Sequence, residues 1–259
     1  LPLAVDATGS AQIPIQLQPL VGSLATPGFV TSFPGNPDMI VVCERATGMI
    51  RSFDVSNAGG GPQPAPALVL DLSAEAYLPA PNAVGSDHGG LSGIAYHPKF
   101  DQGRAYRFMY VRFVRQSGPS SVQMVIRRYA IAMGTTVANI ASSVDEFVYT
   151  MTNTAASNHT SGLLQFDPRS LASGPDDFYL YVPVPDASFG SAVLCECFNP
   201  SSPQPQHNTQ RVQDDAYLEG KLIRIATLYS SGPNPVPLPV PFPEVVAKGL
   251  RHPYGFCID

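Results

Sequence analysis

The sequence has no tryptophan, few charged residues and no long hydrophobic run. Charged residues make up 14% of the 259 residues and hydrophobic residues 44%, whereas charged residues are about a quarter of an average globular protein. No apolar stretch approaches the roughly 18 residues of a membrane-spanning helix. The net charge is −5 and no basic stripe stands out, which argues against a nucleic-acid partner. We therefore expect neither a membrane span nor nucleic-acid binding.

Proline and glycine, by contrast, are abundant, with 27 and 22 residues. Proline interrupts helices and the interiors of central strands, so such a chain must contain many turns and short elements. Helical periodicity is nearly absent, and strand-like runs such as Met49–Asp54, Glu146–Met151 and Phe178–Val184 recur between turn signals such as Pro34-Gly35-Asn36-Pro37. This pattern indicates a sandwich, a barrel or a propeller, and the missing tryptophan weakens the immunoglobulin option. The predicted fold class is all-β.

Cysteine usage and one sequon bear on the compartment. The cysteines are Cys43, Cys195, Cys197 and Cys257. Their spacing fits neither a zinc site nor a CxxC redox motif, which leaves two disulfides in an oxidising compartment or free buried thiols. Asn158-His159-Thr160 is a glycosylation sequon, and no signal peptide is visible at Leu1, which suits a mature secreted chain. We expect a secreted or periplasmic protein with disulfides and a glycan on Asn158.

Loop histidines are the strongest candidates for acid–base chemistry. A neutral imidazole is the usual general base near neutral pH, and loops at strand ends gather catalytic groups. The five histidines are His88, His97, His159, His207 and His252. His97 closes a strand-like run and is interpreted as structural, whereas Asp186 follows the run at residues 178–184 and could orient a base. The residues alone indicate a site presented on loops, of unknown type.

Six short motifs follow one another between residues 44 and 255. They are ERATGMI at 44–50, GGLSGIAYHPKF at 89–100, IRRY at 126–129, NHTSG at 158–162, GKLIRI at 220–225 and GLRHPYG at 249–255. Together they resemble the glucose/sorbosone dehydrogenase family, which includes soluble quinoprotein glucose dehydrogenases and hedgehog-interacting-protein-like relatives. The resemblance implies a six-bladed β-propeller. Because six blades need more residues in that family, we expect residues 1–259 to form a single, incomplete propeller domain of about four blades.

The resemblance also implies a cofactor and a base. Family members bind pyrroloquinoline quinone (PQQ) on the propeller axis, and the histidine of the HxxG loop takes a proton from the sugar hydroxyl while hydride passes to the quinone. His159 matches that histidine, Arg251 matches an arginine that contacts the quinone, and His88 lies near a position that reaches the cofactor. The metal ligands are unknown, because the family's calcium ligands would lie beyond residue 259.

Two positions depart from the family pattern. His252 stands where the family has an asparagine directly after the arginine that contacts the quinone, and we count it among the candidate cofactor-binding residues. The aspartate that supports the base lies in a GDxG turn in the family, and Asp186 takes its place here without the flanking glycines, which let a backbone approach closely.

Two functions therefore stay open. The first is a quinoprotein sugar or aldose dehydrogenase, favoured by the intact 159–162 motif and by Arg251. The alternative is a non-catalytic extracellular propeller that binds a protein or a glycan, favoured by the altered turn, by His252 and by the sequon. The enzyme, with a small sugar as substrate, is the working hypothesis.

Overall fold

A computed structural model describes most of the chain. The described residues are 4–5, 11–12, 19–56, 65–78, 89–118, 121–152, 159–160, 162–169, 178–186, 212–227 and 243–258. Their regular structure consists of antiparallel strands and two 3₁₀ turns, Phe100–Gln102 and Arg104–Tyr106. Within these ranges, no helix has the length and hydrophobicity needed to cross a membrane. The predicted all-β fold class is confirmed.

Twelve of the described strands form three four-stranded sheets. The first comprises β3 (Pro27–Phe33), β4 (Asn36–Glu44), β5 (Met49–Asp54) and β6 (Ala67–Asp71). The second comprises β7 (Leu91–Tyr96), β8 (Phe108–Gly118), β9 (Ser121–Ile131) and β10 (Ala138–Thr152). The third comprises β11 (Gln165–Phe166), β12 (Phe178–Val184), β13 (Lys221–Thr227) and β14 (Glu244–Lys248). A separate pair joins β1 (Ala4–Val5) to β2 (Ala11–Gln12).

The topology of these sheets is that of propeller blades. In each sheet the strands lie side by side in chain order, so each sheet is an antiparallel meander, the unit that a propeller repeats around its axis. We call the three sheets the first, second and third blades. The expected single domain of about four blades over residues 1–259 stays a prediction.

Strand β8 of the second blade has buried side chains on both of its faces. Side chains along a strand point alternately to opposite faces, and β8 follows this rule. Met109 and Val111 belong to the core shared with the first blade, whereas Tyr110 and Val114 belong to the core shared with the third blade. Arg112 falls between Tyr110 and Val114 in the row that faces the third blade, and it is completely buried there.

The described cysteines are free thiols. Cys43 is buried and Cys257 is exposed. Cys43 lies on β4 inside the core between the first two blades, and burial there raises the pKa of its thiol. These two cysteines therefore do not form the disulfides expected from the sequence, and the alternative of a free buried thiol holds for Cys43 but not for the exposed Cys257. Cys195 and Cys197 lie outside the described residues.

Candidate functional site

The first strand of the second blade supports the candidate site. The Ser92 hydroxyl donates to the carbonyl of Gly162 at 3.4 Å, and a Cβ added to Gly93 would lie 3.2 Å from the same oxygen. On the other side, the backbone N–H of Leu163 donates to the carbonyl of Tyr254 at 2.9 Å. Residues 162–164 are thus packed between β7 and the segment after β14.

A histidine–aspartate pair lies at the centre of this arrangement. His159 Nδ1 and Asp186 Oδ1 are 2.9 Å apart, and the two side chains are only 12% and 9% exposed. A carboxylate can only accept a hydrogen bond, so Nδ1 carries the hydrogen of the neutral ring. This tautomer leaves the lone pair on Nε2, which is the arrangement of a general base.

The backbone of His159 has an unusual conformation. Its φ is +51°, in the left-handed region that residues other than glycine seldom adopt. Such conformations cost free energy and persist where surrounding contacts enforce them, often at functional sites. The strain is consistent with a ring that the fold holds in one place.

The segment after β14 covers the pair. The His252 ring stacks on the His159 ring with centroids 4.7 Å apart and an interplanar angle of 17°. The Tyr254 ring meets the His252 ring edge-on, with centroids 5.8 Å apart. The backbone N–H of Asp186 donates to the carbonyl of Arg251 at 2.9 Å, while Arg251 itself is exposed. Residues 251–254 therefore contact both members of the pair and present one cation to solvent.

Arg112 binds the backbone next to both members of the pair. Its Nη1 donates to the carbonyl of Pro183 at 2.7 Å and its Nη2 to the carbonyl of Thr160 at 3.0 Å. Burial lowers the pKa of this guanidinium to about 9, so it is still a cation at neutral pH. Sequence reasoning missed this residue. The sequence feature that could have revealed it is an arginine between Tyr110 and Val114, at alternate positions of one strand, where both neighbouring side chains on that face belong to the core.

Gly162 is the residue that this packing requires. A Cβ at this position would lie 2.4 Å from Arg112 Nη1 and 2.7 Å from Pro183 Cγ. Real Cβ atoms do not approach neighbours so closely, so only glycine leaves room for the guanidinium here. Steric packing against Arg112 and Pro183 therefore explains why the NHTSG motif ends in glycine in this fold.

The structure brings together four of the six site residues predicted from the sequence. The His159 ring contacts both Asp186 and His252, and a backbone hydrogen bond joins Asp186 to Arg251. The chemical roles of these four residues stay predictions. His88 and Asn158 lie outside the described residues. Within the described part of the chain, no group of three or more His, Cys, Asp or Glu residues could hold a metal ion.

Three solved sugar dehydrogenase structures are similar to this chain. A glucose dehydrogenase crystal structure matches 80% of this chain with a TM-score of 0.50 and 18% identity. The chain shares the fold of a glucose dehydrogenase. A second glucose dehydrogenase matches 78% of the chain (17% identity, TM-score 0.46). The soluble aldose sugar dehydrogenase from Escherichia coli, in its apo form, matches 80% (15% identity, TM-score 0.47).

The match extends over only part of these proteins. The chain covers 46%, 49% and 46% of their respective lengths, so it spans just under half of each. No family model and no curated protein sequence matches the chain. The fold is consistent with the glucose/sorbosone dehydrogenase resemblance that the sequence motifs carry.

Proposed function

We propose that this chain is part of a quinoprotein sugar dehydrogenase in which His159 is the general base. The observation that carries the proposal is the hydrogen bond between His159 and Asp186, which joins residues 27 positions apart in the chain. A base held by a carboxylate on a loop-presented face is what removal of a hydroxyl proton requires. The motif resemblance and the shared fold support a sugar as the substrate class.

Each member of the pair has a defined task in this proposal. Asp186 accepts the Nδ1 hydrogen, keeps the ring in one tautomer and stabilises the imidazolium that forms when Nε2 takes the proton of the sugar hydroxyl. His252 stacks on the ring and restricts its rotation. General-base catalysis by such a positioned group contributes about 10²–10⁴-fold to a rate.

The described residues fit a quinone that carries carboxylate groups. Arg251 is exposed and its carbonyl binds the backbone of Asp186, and arginine binds carboxylates with paired hydrogen bonds. PQQ, when bound, would supply the acceptor for the hydride. We assign Arg251 to the binding of PQQ. We assign the same role to His88, on the basis of the family resemblance, and to His252, which stacks on His159. Calcium remains part of the proposal without assigned ligands.

The proposal includes a location outside the cytoplasm, where the sequon at Asn158 would be usable. A glycan on Asn158 would lie next to His159 in the chain and would obstruct the base. The competing function, an extracellular propeller that binds a protein or glycan without catalysis, is favoured by this sequon and by the low exposure of His159 beneath His252.

The test combines binding and turnover in the full-length protein. PQQ with calcium is titrated by calorimetry, and aldose oxidation is followed with a dye as electron acceptor. The key variant is His159→Asn, because asparagine tolerates the left-handed backbone of this position but supplies no base. We expect PQQ binding to be retained and turnover to fall by about 10²–10⁴-fold.

Asp215→Asn serves as the control, since Asp215 is an exposed carboxylate that pairs with Lys248 away from the site. Its turnover should equal that of the wild type. A well-folded wild-type protein that binds no PQQ would refute the proposal and leave the binding propeller as the function to pursue.

A further inference from the structure

Arg112 is a buried cation in a place where the fold alone calls for an apolar side chain. Its neighbours in the row on β8, Tyr110 and Val114, are both part of the core between the second and third blades. Moving a cation out of water into a protein interior has a large free-energy cost. Within the described residues, no carboxylate forms an ion pair with Arg112 that would offset this cost.

The two hydrogen bonds of Arg112 connect the two halves of the histidine–aspartate pair. Thr160, which gives one carbonyl, directly follows His159. Pro183, which gives the other, lies at the end of β12, three residues before Asp186. One rigid guanidinium thus holds the segment that carries the base and the strand that carries its carboxylate. Arginine suits this task because its donors form a planar fork in which several N–H groups have fixed directions.

We infer that Arg112 is a positioning residue of the proposed active site, which fixes His159 against Asp186 by binding the carbonyls of Thr160 and Pro183. The inference rests on the proposed function for its catalytic meaning, whereas the contact itself is independent of any activity. It is consistent with the left-handed backbone of His159, because the hydrogen bond to the Thr160 carbonyl holds the residue that directly follows the strained one. It also accounts for Gly162, whose missing side chain leaves the guanidinium its space.

The test uses Arg112→Met, Arg112→Lys and a matched control in the full-length protein. Methionine keeps an unbranched apolar stem without donors, and lysine keeps the charge but places a single ammonium where two separated donors are needed. Arg115→Met is the control, because Arg115 lies on the same strand but pairs with Glu75 at the surface. The first readout is the NMR resonance of the His159 Nδ1 proton, assigned by its loss in His159→Asn.

We expect the Nδ1 resonance to broaden or disappear in Arg112→Met, to be weakened in Arg112→Lys and to be unchanged in Arg115→Met. Displacement of catalytic groups by about 1 Å can cost about 10²-fold in rate, so kcat should fall by about that factor in Arg112→Met and less in Arg112→Lys. KM should change far less than kcat, because Arg112 is buried and does not meet the sugar.

The outcomes separate the two proposals. A wild-type resonance that is unaffected in folded Arg112→Met overturns the positioning role, whatever the activity. If Arg112→Met does not fold, the Arg112→Lys variant decides. An intact Nδ1 resonance with wild-type kcat in that variant contradicts the inference, and a weakened resonance supports it. A wild-type protein that shows the resonance but oxidises no sugar contradicts the proposed function alone.

Discussion

At the scale of single residues, the candidate site depends on how one imidazole ring is held. His159 is fixed by a carboxylate at Nδ1, by a stacked ring on one face and by a left-handed backbone. Each of these restraints reduces the rotation that an isolated histidine side chain retains. The loss of any one of them should therefore act on the rate of proton transfer before it acts on the stability of the fold.

The stacked ring can be tested by His252→Asn, which introduces the residue of the family motif. Aromatic pairs contribute about 0.5–1.5 kcal/mol beyond the area they bury, so a ring that moves more freely should lower kcat by up to about tenfold. Steady-state sugar oxidation measures the effect. Tyr254→Phe is the control, because it keeps the ring beside His252 and loses only the hydrogen bond from the phenol to the Gly28 carbonyl. An unchanged kcat in His252→Asn would mean that the stack has no catalytic role.

The two described cysteines differ in reactivity for the same kind of local reason. The thiolate is the reactive form, and burial raises the pKa of Cys43 while Cys257 is exposed. We expect a maleimide to modify Cys257 in the native protein within minutes and Cys43 only after unfolding. Peptide mass mapping distinguishes the two sites. Modification of Cys43 at the same rate as Cys257 would show that the core between the first two blades opens readily.

At the scale of elements, the sequence predicted most strands, missed one edge strand and shortened another. Runs at Met49–Asp54 and Phe178–Val184 were predicted with the bounds that the structure has, because buried residues recur along them. Strand β3 was missed, since its Pro27-Gly28 start reads as a turn and only pairing with β4 makes it extended. Strand β10 was predicted at residues 146–151 and runs over Ala138–Thr152. Its exposed, bulged first half lacks the alternation that marks a strand.

Some residues of the site could be predicted from local sequence patterns, whereas another depends on contacts between distant parts of the chain. His159, Arg251 and His252 were found because motifs mark them, and Asp186 because it follows a predictable strand. Arg112 belongs to no motif, and its partners are 48 and 71 positions away in the chain. A contact of this kind depends on how two blades stack, which no local pattern encodes.

The loop of the NHTSG motif provides a prediction at this scale. In Gly162→Ala the new Cβ would meet Arg112 Nη1 at 2.4 Å and Pro183 Cγ at 2.7 Å, and overpacking of this kind costs about 1–3 kcal/mol. Thermal unfolding should show a lower Tm than that of Gly28→Ala, whose added Cβ would have ordinary contacts, with the nearest atom at 3.5 Å. Equal Tm values for the two variants would show that the loop moves aside without cost.

At the scale of the whole molecule, polar contacts supplement the cores between blades. The turn after β6 places Glu75 against the second blade, where both of its oxygens accept hydrogen bonds from Arg127 at 2.7 Å. Arg115 donates to the same carboxylate at 3.1 Å, and Asp145 pairs with both arginines. The network links the turn after the first blade to strands β8, β9 and β10 of the second blade.

Because of this network, we expect the contact between the first and second blades to become less stable at low pH. The hydrogen bonds from Arg127 lower the pKa of Glu75 below its ordinary value of 4.5. A carboxyl whose pKa is lower in the folded state stabilises the fold fully above the unfolded value, and this contribution is lost as the pH falls through the folded pKa. In Glu75→Gln we therefore expect a free energy of unfolding about 1 kcal/mol or less below that of the wild type at pH 7, since the carboxylate is partly exposed.

Denaturant unfolding at several pH values measures this difference. The gap between wild type and Glu75→Gln should narrow below pH 4.5 and close once Glu75 is protonated in the folded protein, because the wild type then also lacks the charge. Asp215→Asn, at an exposed ion pair within the third blade, is the matched control. It should change the pH dependence of the free energy of unfolding at low pH far less than Glu75→Gln does. A gap that stays constant with pH would mean that Glu75 acts through packing, and the joint between the first two blades would then depend on their shared core alone.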